Sequence, residues 1–282
     1  MSRIYDALKK LEAERLRRGG NGRNGGGNGG NGGGNGGNGG GNGKRKGWRR
    51  FFPGNGRSNG HAQVALRLSL GPEAEEAYQR LGTNLLVAPG PDAASVPRLL
   101  GVTASRHGEG TTTTVAVFAS ILVRRRSGRV AVVEANLRTP SCDAVFGVAR
   151  NGGFAELIEG RADLPAVVQK TPIPNLFVVT GGQTALGPSG LFDAEGVAVA
   201  LAKLREAFDF VLFDLPPANV YSDASILGPR LDAALIVIEA DRTRIPEVER
   251  TRRSLERVGV RLVGSVLNRR RDYIPAFLEE LL

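Results

Sequence analysis

Leu99-Leu100-Gly101-Val102-Thr103-Ala104 is followed by Ser105-Arg106-His107-Gly108-Glu109-Gly110 and then by Thr111-Thr112-Thr113-Thr114-Val115-Ala116-Val117-Phe118. The first run is apolar and reads as a buried strand. The second is a loop with two glycines, and the third opens a segment long enough for a helix over 111–125. Strand, glycine loop and helix together form the setting of a phosphate-binding loop. The usual pattern is Gly-x-x-x-x-Gly-Lys-Ser/Thr. Here Ser105 stands at the first glycine, Gly110 at the second, Thr111 at the lysine and Thr112 at the magnesium-binding hydroxyl. The scaffold is kept and its point charge is missing. Backbone N–H groups over Gly108, Glu109, Gly110, Thr111, Thr112 and Thr113 can still cradle an anion at a helix start. Arg106 is the local cation available to stand in for the lysine. His107 can contact a phosphate or remain a solvated loop residue.

Working outward, the pattern predicts helices over 73–87, 111–125, 152–159, 194–207 and 244–258. It predicts strands over 98–104, 129–135, 174–180, 209–214, 232–239 and 261–267. The strands are continuous apolar runs, such as Val130-Ala131-Val132-Val133 and Phe210-Val211-Leu212-Phe213. Such runs alternating with helices predict an α/β fold, a P-loop NTPase-like parallel sheet covered by helices on both faces. In these sheets ligands bind at the carboxyl ends of the strands. Glu134 ends one strand and Asp214 another. Asp214 is a candidate holder of a metal-bound water, with Thr112 as the second metal contact. Glu134 and Asp214 are the candidate catalytic acids. A loop-capping role is the alternative for a single acid at a strand end.

The domain from 73 to 282 resembles the cytoplasmic domain of bacterial tyrosine kinases (BY-kinases) of capsule and exopolysaccharide synthesis, members of the deviant-Walker ATPases. The likeness rests on Glu76-Ala77-Tyr78-Gln79-Arg80-Leu81-Gly82-Thr83-Asn84, on Gly108-Glu109-Gly110 and on Glu134-Ala135-Asn136-Leu137-Arg138-Thr139-Pro140. It extends to Phe208-Asp209-Phe210-Val211-Leu212-Phe213-Asp214, to Asp223-Ala224 and to Val266-Leu267-Asn268-Arg269. The resemblance implies ATP or ADP with Mg2+ as cofactor. It also implies a membrane-embedded polysaccharide co-polymerase-type partner for chain length or export.

The departures from that pattern fall on different steps. Thr111 replaces the lysine that would hold the β- and γ-phosphates, which weakens the expected nucleotide site. Glu134 and Asn136 replace two aspartates, and an amide binds magnesium less well than a carboxylate. Gln79 and Gly82 stand where the resemblance places two assembly arginines. No C-terminal tyrosine cluster is present, and Tyr273 is the one weak phosphoacceptor candidate near the end. Together these losses predict impaired kinase chemistry. The alternative is an active autokinase or ATPase using Thr112, Glu134, Asp214 and Arg106 in a modified site. A third alternative is a partitioning-type ATPase acting on a DNA or membrane surface.

The rest of the chain reads differently. The first 60 residues hold thirteen Lys/Arg against three acids (Asp6, Glu12 and Glu14), which equals the whole chain's net charge of +10. The remainder is neutral, so no nucleic acid partner is expected. Residues 1–18 read as an amphipathic helix, with Ile4, Leu8 and Leu11 on one face, for docking on a partner or membrane. A frayed tail is the alternative. Residues 19–72 read as a disordered Gly/Asn-rich and basic-aromatic linker. Within it, Lys44-Arg45-Lys46-Gly47-Trp48-Arg49-Arg50-Phe51-Phe52 suits an anionic inner-leaflet surface or single-stranded nucleic acid, against a merely solvated linker. One cysteine, Cys142, and no apolar run of membrane-spanning length predict a cytoplasmic protein, peripheral at the inner membrane.

Overall fold

The computed structural model describes residues 71–86, 96–125 and 128–270. The predicted helix at 1–18, the linker and basic patch before Gly71, and Tyr273 lie outside them.

The chain enters through α1 (Pro72–Leu86), which starts on a proline and carries Glu73 and Glu75 in its first turn. Both features suit a helix N-terminus, where the proline's missing N–H is not needed and acids meet the dipole. Gly82 turns toward Phe118 and Leu122 of α2 (Thr111–Arg125), and Tyr78 stacks on Phe118 at 6.5 Å between centroids. β1 (Leu99–Ala104) precedes α2, and β2 (Val130–Glu134) follows it. Next come α3 (Cys142–Phe146), α4 (Phe154–Ile158), α5 (Leu164–Val167), β3 (Val168–Lys170) and β4 (Leu176–Val179). The chain then forms α6 (Pro188–Asp193), α7 (Gly196–Ala207), β5 (Phe210–Asp214) and α8 (Asp223–Leu227). After a 3-10 turn at Gly228–Arg230 come β6 (Ala233–Glu239), α9 (Ile245–Arg257) and β7 (Leu262–Asn268).

The seven strands form one sheet in the order β3-β4-β2-β5-β1-β6-β7. All neighbours are parallel except β3 and β4, which are antiparallel. The expected parallel sheet is present, with one antiparallel pair added at its edge. β3 is three residues long and follows α5 without a break, so no turn residue marks it. The strands β1, β2 and β5 are buried along their whole length, as continuous apolar runs in a parallel interior should be. One core lies on the face covered by α4, α7 and α9, with Phe154, Phe192 and Phe213 at its centre. The other lies under α1 and α2, around Phe118 and Phe146. The five-residue helices α3 and α8 also escape the sequence pattern, because they are too short to show a 3.6-residue period. Among the described residues, no helix is long and apolar enough to cross a membrane.

Candidate functional site

β1, β2 and β5 are central, and their carboxyl ends bring three segments together: the glycine loop, Glu134 and Asp214. In the register, Glu134 lies beside Asp214 and Val102 beside Asp214. The loop turns on Gly108 and Gly110, with φ of 84° and 93°, a region that favours glycine. At Gly110 a Cβ would stand 2.2 Å from Asn268 Nδ2 at the end of β7. That amide donates to the Glu109 carbonyl at 2.8 Å. Absence of a side chain at Gly110 therefore serves both the turn and the close approach of β7.

Glu109 does not face the anion cradle. Its Oε2 accepts from the Ser105 and Arg106 backbone N–H groups at 2.7 and 3.1 Å. Its Oε1 accepts from the Thr243 hydroxyl, and the side chain is buried. Glu109 is an internal staple of the loop. Ser105, at the first glycine's place, ties the loop to α9 through Thr251 Oγ1 at 2.7 Å. Arg106 turns outward, and its guanidinium lies 3.7 Å from Glu247 of α9. Thr111, at the lysine's place, is the first residue of α2 and presents a neutral side chain. The two lysines among the described residues are Lys170 on the far edge strand and Lys203 in α7, the latter paired with Asp163.

Thr112 and Asp214 do meet. The Thr112 hydroxyl donates to Asp214 Oδ2 at 2.7 Å. Cys142 Sγ lies 3.9 Å from the same oxygen, and the thiol's pKa is pushed well up by burial first and the nearby Asp214 second. Asp214 Oδ1 is buried with no hydrogen-bond partner. Burial is the main force raising the Asp214 carboxyl to about 7, the Thr112 bond pulls against it, and neighbouring Glu134 adds to the rise. An unsatisfied buried carboxylate oxygen beside a hydroxyl is costly in isolation. It fits a magnesium ion that keeps most of its waters and takes few protein oxygens. Among the described residues, no cluster of three or more His, Cys, Asp or Glu forms a metal cage.

Glu134 is placed differently from the sequence expectation. Its Oε1 accepts from the backbone N–H groups of Ser141 and Cys142 at 2.5 and 2.7 Å. Its Oε2 accepts from Gly181 N–H at 2.8 Å. Three backbone donors consume the carboxylate, which braces the β2 loop and the start of α3. Asn136 likewise pairs within its own turn, donating to Thr139 Oγ1 at 3.1 Å. The sequence made Glu134 a candidate catalytic acid because it ends a strand, and the resemblance marked Asn136 as a weakened magnesium position. Only the fold shows which N–H groups surround them.

A latch that the sequence did not reveal closes the other side. Arg138 makes a bidentate contact with buried Asp223, at 3.0 and 3.1 Å. Its guanidinium lies 4.6 Å from the centre of the Tyr221 ring. His107 of the loop meets the same ring edge-on at 5.5 Å. Gln79 and Thr83 of α1 both receive bonds from Arg125, and Arg80 pairs with Glu76 on the exposed face.

Sheet order, glycine loop and the Thr112–Asp214 pair define the chain as a P-loop NTPase-like domain. No family model matches it. Over 198 residues it is 27% identical to "Tyrosine-protein kinase CpsD" of Streptococcus pneumoniae, covering 70% of this chain and 85% of that protein. The kinase domain of the Escherichia coli tyrosine kinase ETK superposes with a TM-score of 0.64 at 25% identity, covering 72% of this chain and 79% of that one. The VpsO kinase domain gives 0.63 at 26%, covering 71% and 96%. In sequence and fold the chain is thus similar to bacterial tyrosine kinases, with Thr111 standing at the place of the loop lysine.

Proposed function

We propose that this protein serves capsule or exopolysaccharide biosynthesis as a BY-kinase-like regulator that binds nucleotide but is impaired in kinase chemistry. The observation that carries this reading is the split within one site. The half that receives an anion and a metal is intact: Gly108 and Gly110 shape the loop, and Thr112 and Asp214 pair beside an unpartnered carboxylate oxygen. The half that would drive transfer is missing: Thr111 is neutral and Arg106 is engaged by Glu247, so among the described residues no free cation faces the phosphates, and Glu134, the candidate catalytic acid, is consumed by backbone donors. Positioned cations supply much of phosphoryl-transfer catalysis, and each 1.36 kcal/mol lost is about tenfold in rate.

In this reading ATP or ADP binds with Mg2+ through the backbone N–H groups at the start of α2, through Thr112 and, with the metal, through Asp214. The ligand's magnesium supplies charge neutralisation, while the protein orients the phosphates. The basic-aromatic stretch 44–52 and the helix at 1–18 hold the protein at the inner membrane, against a membrane-embedded chain-length or export partner.

One observation favours an active enzyme as the second reading. A carboxyl with a pKa of about 7 is matched to accepting a proton near neutrality. Incubating the full chain with ADP–Mg2+ and following the thermal transition tests the first reading. A rise at millimolar ligand supports it, and an unchanged transition refutes nucleotide binding.

A further inference from the structure

The edge strand β7 is incompletely covered, unlike its neighbour β6. Leu267 of β7 is 57% exposed and Ile245 at the start of α9 is 80% exposed. With Ile238 and Val248 they line a cleft of about 250 Å3 between β7 and α9. The adjoining face of α9 shares Ile245 and Glu249 with this cleft and continues through Arg250, Arg253 and Arg257. Arg253 lies 3.6 Å from Glu249. Arg250 and Arg257 make no ion pair among the described residues. The cleft also carries Glu239, Asp241 and Glu249, of which Glu239 is paired with Arg269 and Glu249 with Arg252 and Arg253. The surface thus joins apolar side chains at one end to the unpaired arginines of α9 along the rest, a combination that suits an acidic amphipathic segment.

Such a segment begins directly after Arg270. Residues 271–282 read Arg-Asp-Tyr-Ile-Pro-Ala-Phe-Leu-Glu-Glu-Leu-Leu. Ile274, Phe277, Leu278 and Leu281 fall at i, i+3, i+4 and i+7, and Glu279 and Glu280 lie between them. We infer that residues 271–282 of this same chain dock on the β7–α9 surface. The apolar side chains cover Ile238, Ile245, Val248 and Leu267, and Glu279 and Glu280 face the α9 arginines. Reach is ample, because twelve residues can span roughly 40 Å whereas α9 is about 20 Å long. The N-terminal segment 1–18 is a poor competitor, since Lys9, Lys10, Arg15, Arg17 and Arg18 would face like charge. Docking has a consequence for the nucleotide loop. Asn268, two residues before the segment's root at Arg270, donates to the Glu109 carbonyl, so a held tail fixes the end of β7 against that loop.

Engineered disulfide formation in the full chain tests this. In an Ile245→Cys/Leu278→Cys variant, mild oxidation should give a crosslinked monomer, and the native Cys142 is too buried to compete. Adding Arg250→Glu and Arg257→Glu should slow the crosslink about tenfold through the lost and reversed charge pairs. Adding Glu279→Arg and Glu280→Arg to that variant should restore it. A crosslinked dimer would assign the surface to a second copy's tail and overturn the proposal. So would no crosslink, or a rate indifferent to the charge reversals, which would mean random collision of a tethered segment.

Discussion

The Thr112 hydroxyl donates a 2.7 Å hydrogen bond to Asp214 Oδ2, while Asp214 Oδ1 is buried with no partner. One oxygen of the carboxylate is thus satisfied by the loop, and the other is left for a ligand. Burial of this carboxyl raises its pKa, and that sets the first prediction.

Asp214 titrates at about 7 in the folded chain against 3.8 as a free side chain. Between those values the folded state holds a proton that the unfolded state has released. Stability therefore falls as pH rises from about 4 to about 7, and the full cost is present above 7. The roughly three-unit difference corresponds to at most about 4 kcal/mol. Asp214→Asn should be more stable than the parent at pH 8 by urea denaturation, with the gap closing toward pH 4. A gap that is constant with pH would contradict the buried-acid account. ADP–Mg2+ affinity should follow the opposite course, weakening as pH falls below 7.

Gly110 and Gly108 separate two costs. Both have positive φ, but only Gly110 faces a neighbour, Asn268. Gly108→Ala should cost about 1 kcal/mol from the backbone alone. Gly110→Ala should cost roughly 1–3 kcal/mol more, because β7 must shift as well. Denaturant midpoints of the two variants measure the difference directly.

The Arg138–Asp223 latch predicts a double-mutant signature. Asp223 is fully buried and Arg138 is about a third exposed. Arg138→Ala should cost roughly 2–4 kcal/mol, since it leaves a buried carboxylate without its cation. The Arg138→Ala/Asp223→Ala pair should cost less than the sum of the two single changes. Additive losses would show that the two residues act independently.

Much of this was legible in the chain itself. The run from Leu99 to Val123 spells strand, loop and helix, because apolar continuity and two glycines leave little else. β5 ending on Asp214 was legible for the same reason. β3 was not, since three residues without a turn signal carry no period. The roles of Glu109 and Glu134 were also hidden. Each acid stands where a ligand contact is expected, yet each is captured by backbone N–H groups that only the folded loops bring to it. Asn268 reaches the glycine loop from 159 residues away, a contact that no local pattern encodes.

Thr111→Lys should restore the missing point charge. It should tighten ADP–Mg2+ binding about tenfold or more, as read by calorimetry, given the roughly 1.5–3 kcal/mol of a charge-assisted bond. Unchanged affinity would mean that the loop does not present residue 111 to phosphate.

The most direct measurement is incubation of the full chain with labelled ATP and Mg2+, followed by detection of phosphotyrosine. The parent should show no more label than Asp214→Asn, even under conditions where ADP–Mg2+ raises its thermal transition. Phosphorylation of Tyr273, or of any other tyrosine, at a rate abolished by Asp214→Asn would contradict impaired kinase chemistry.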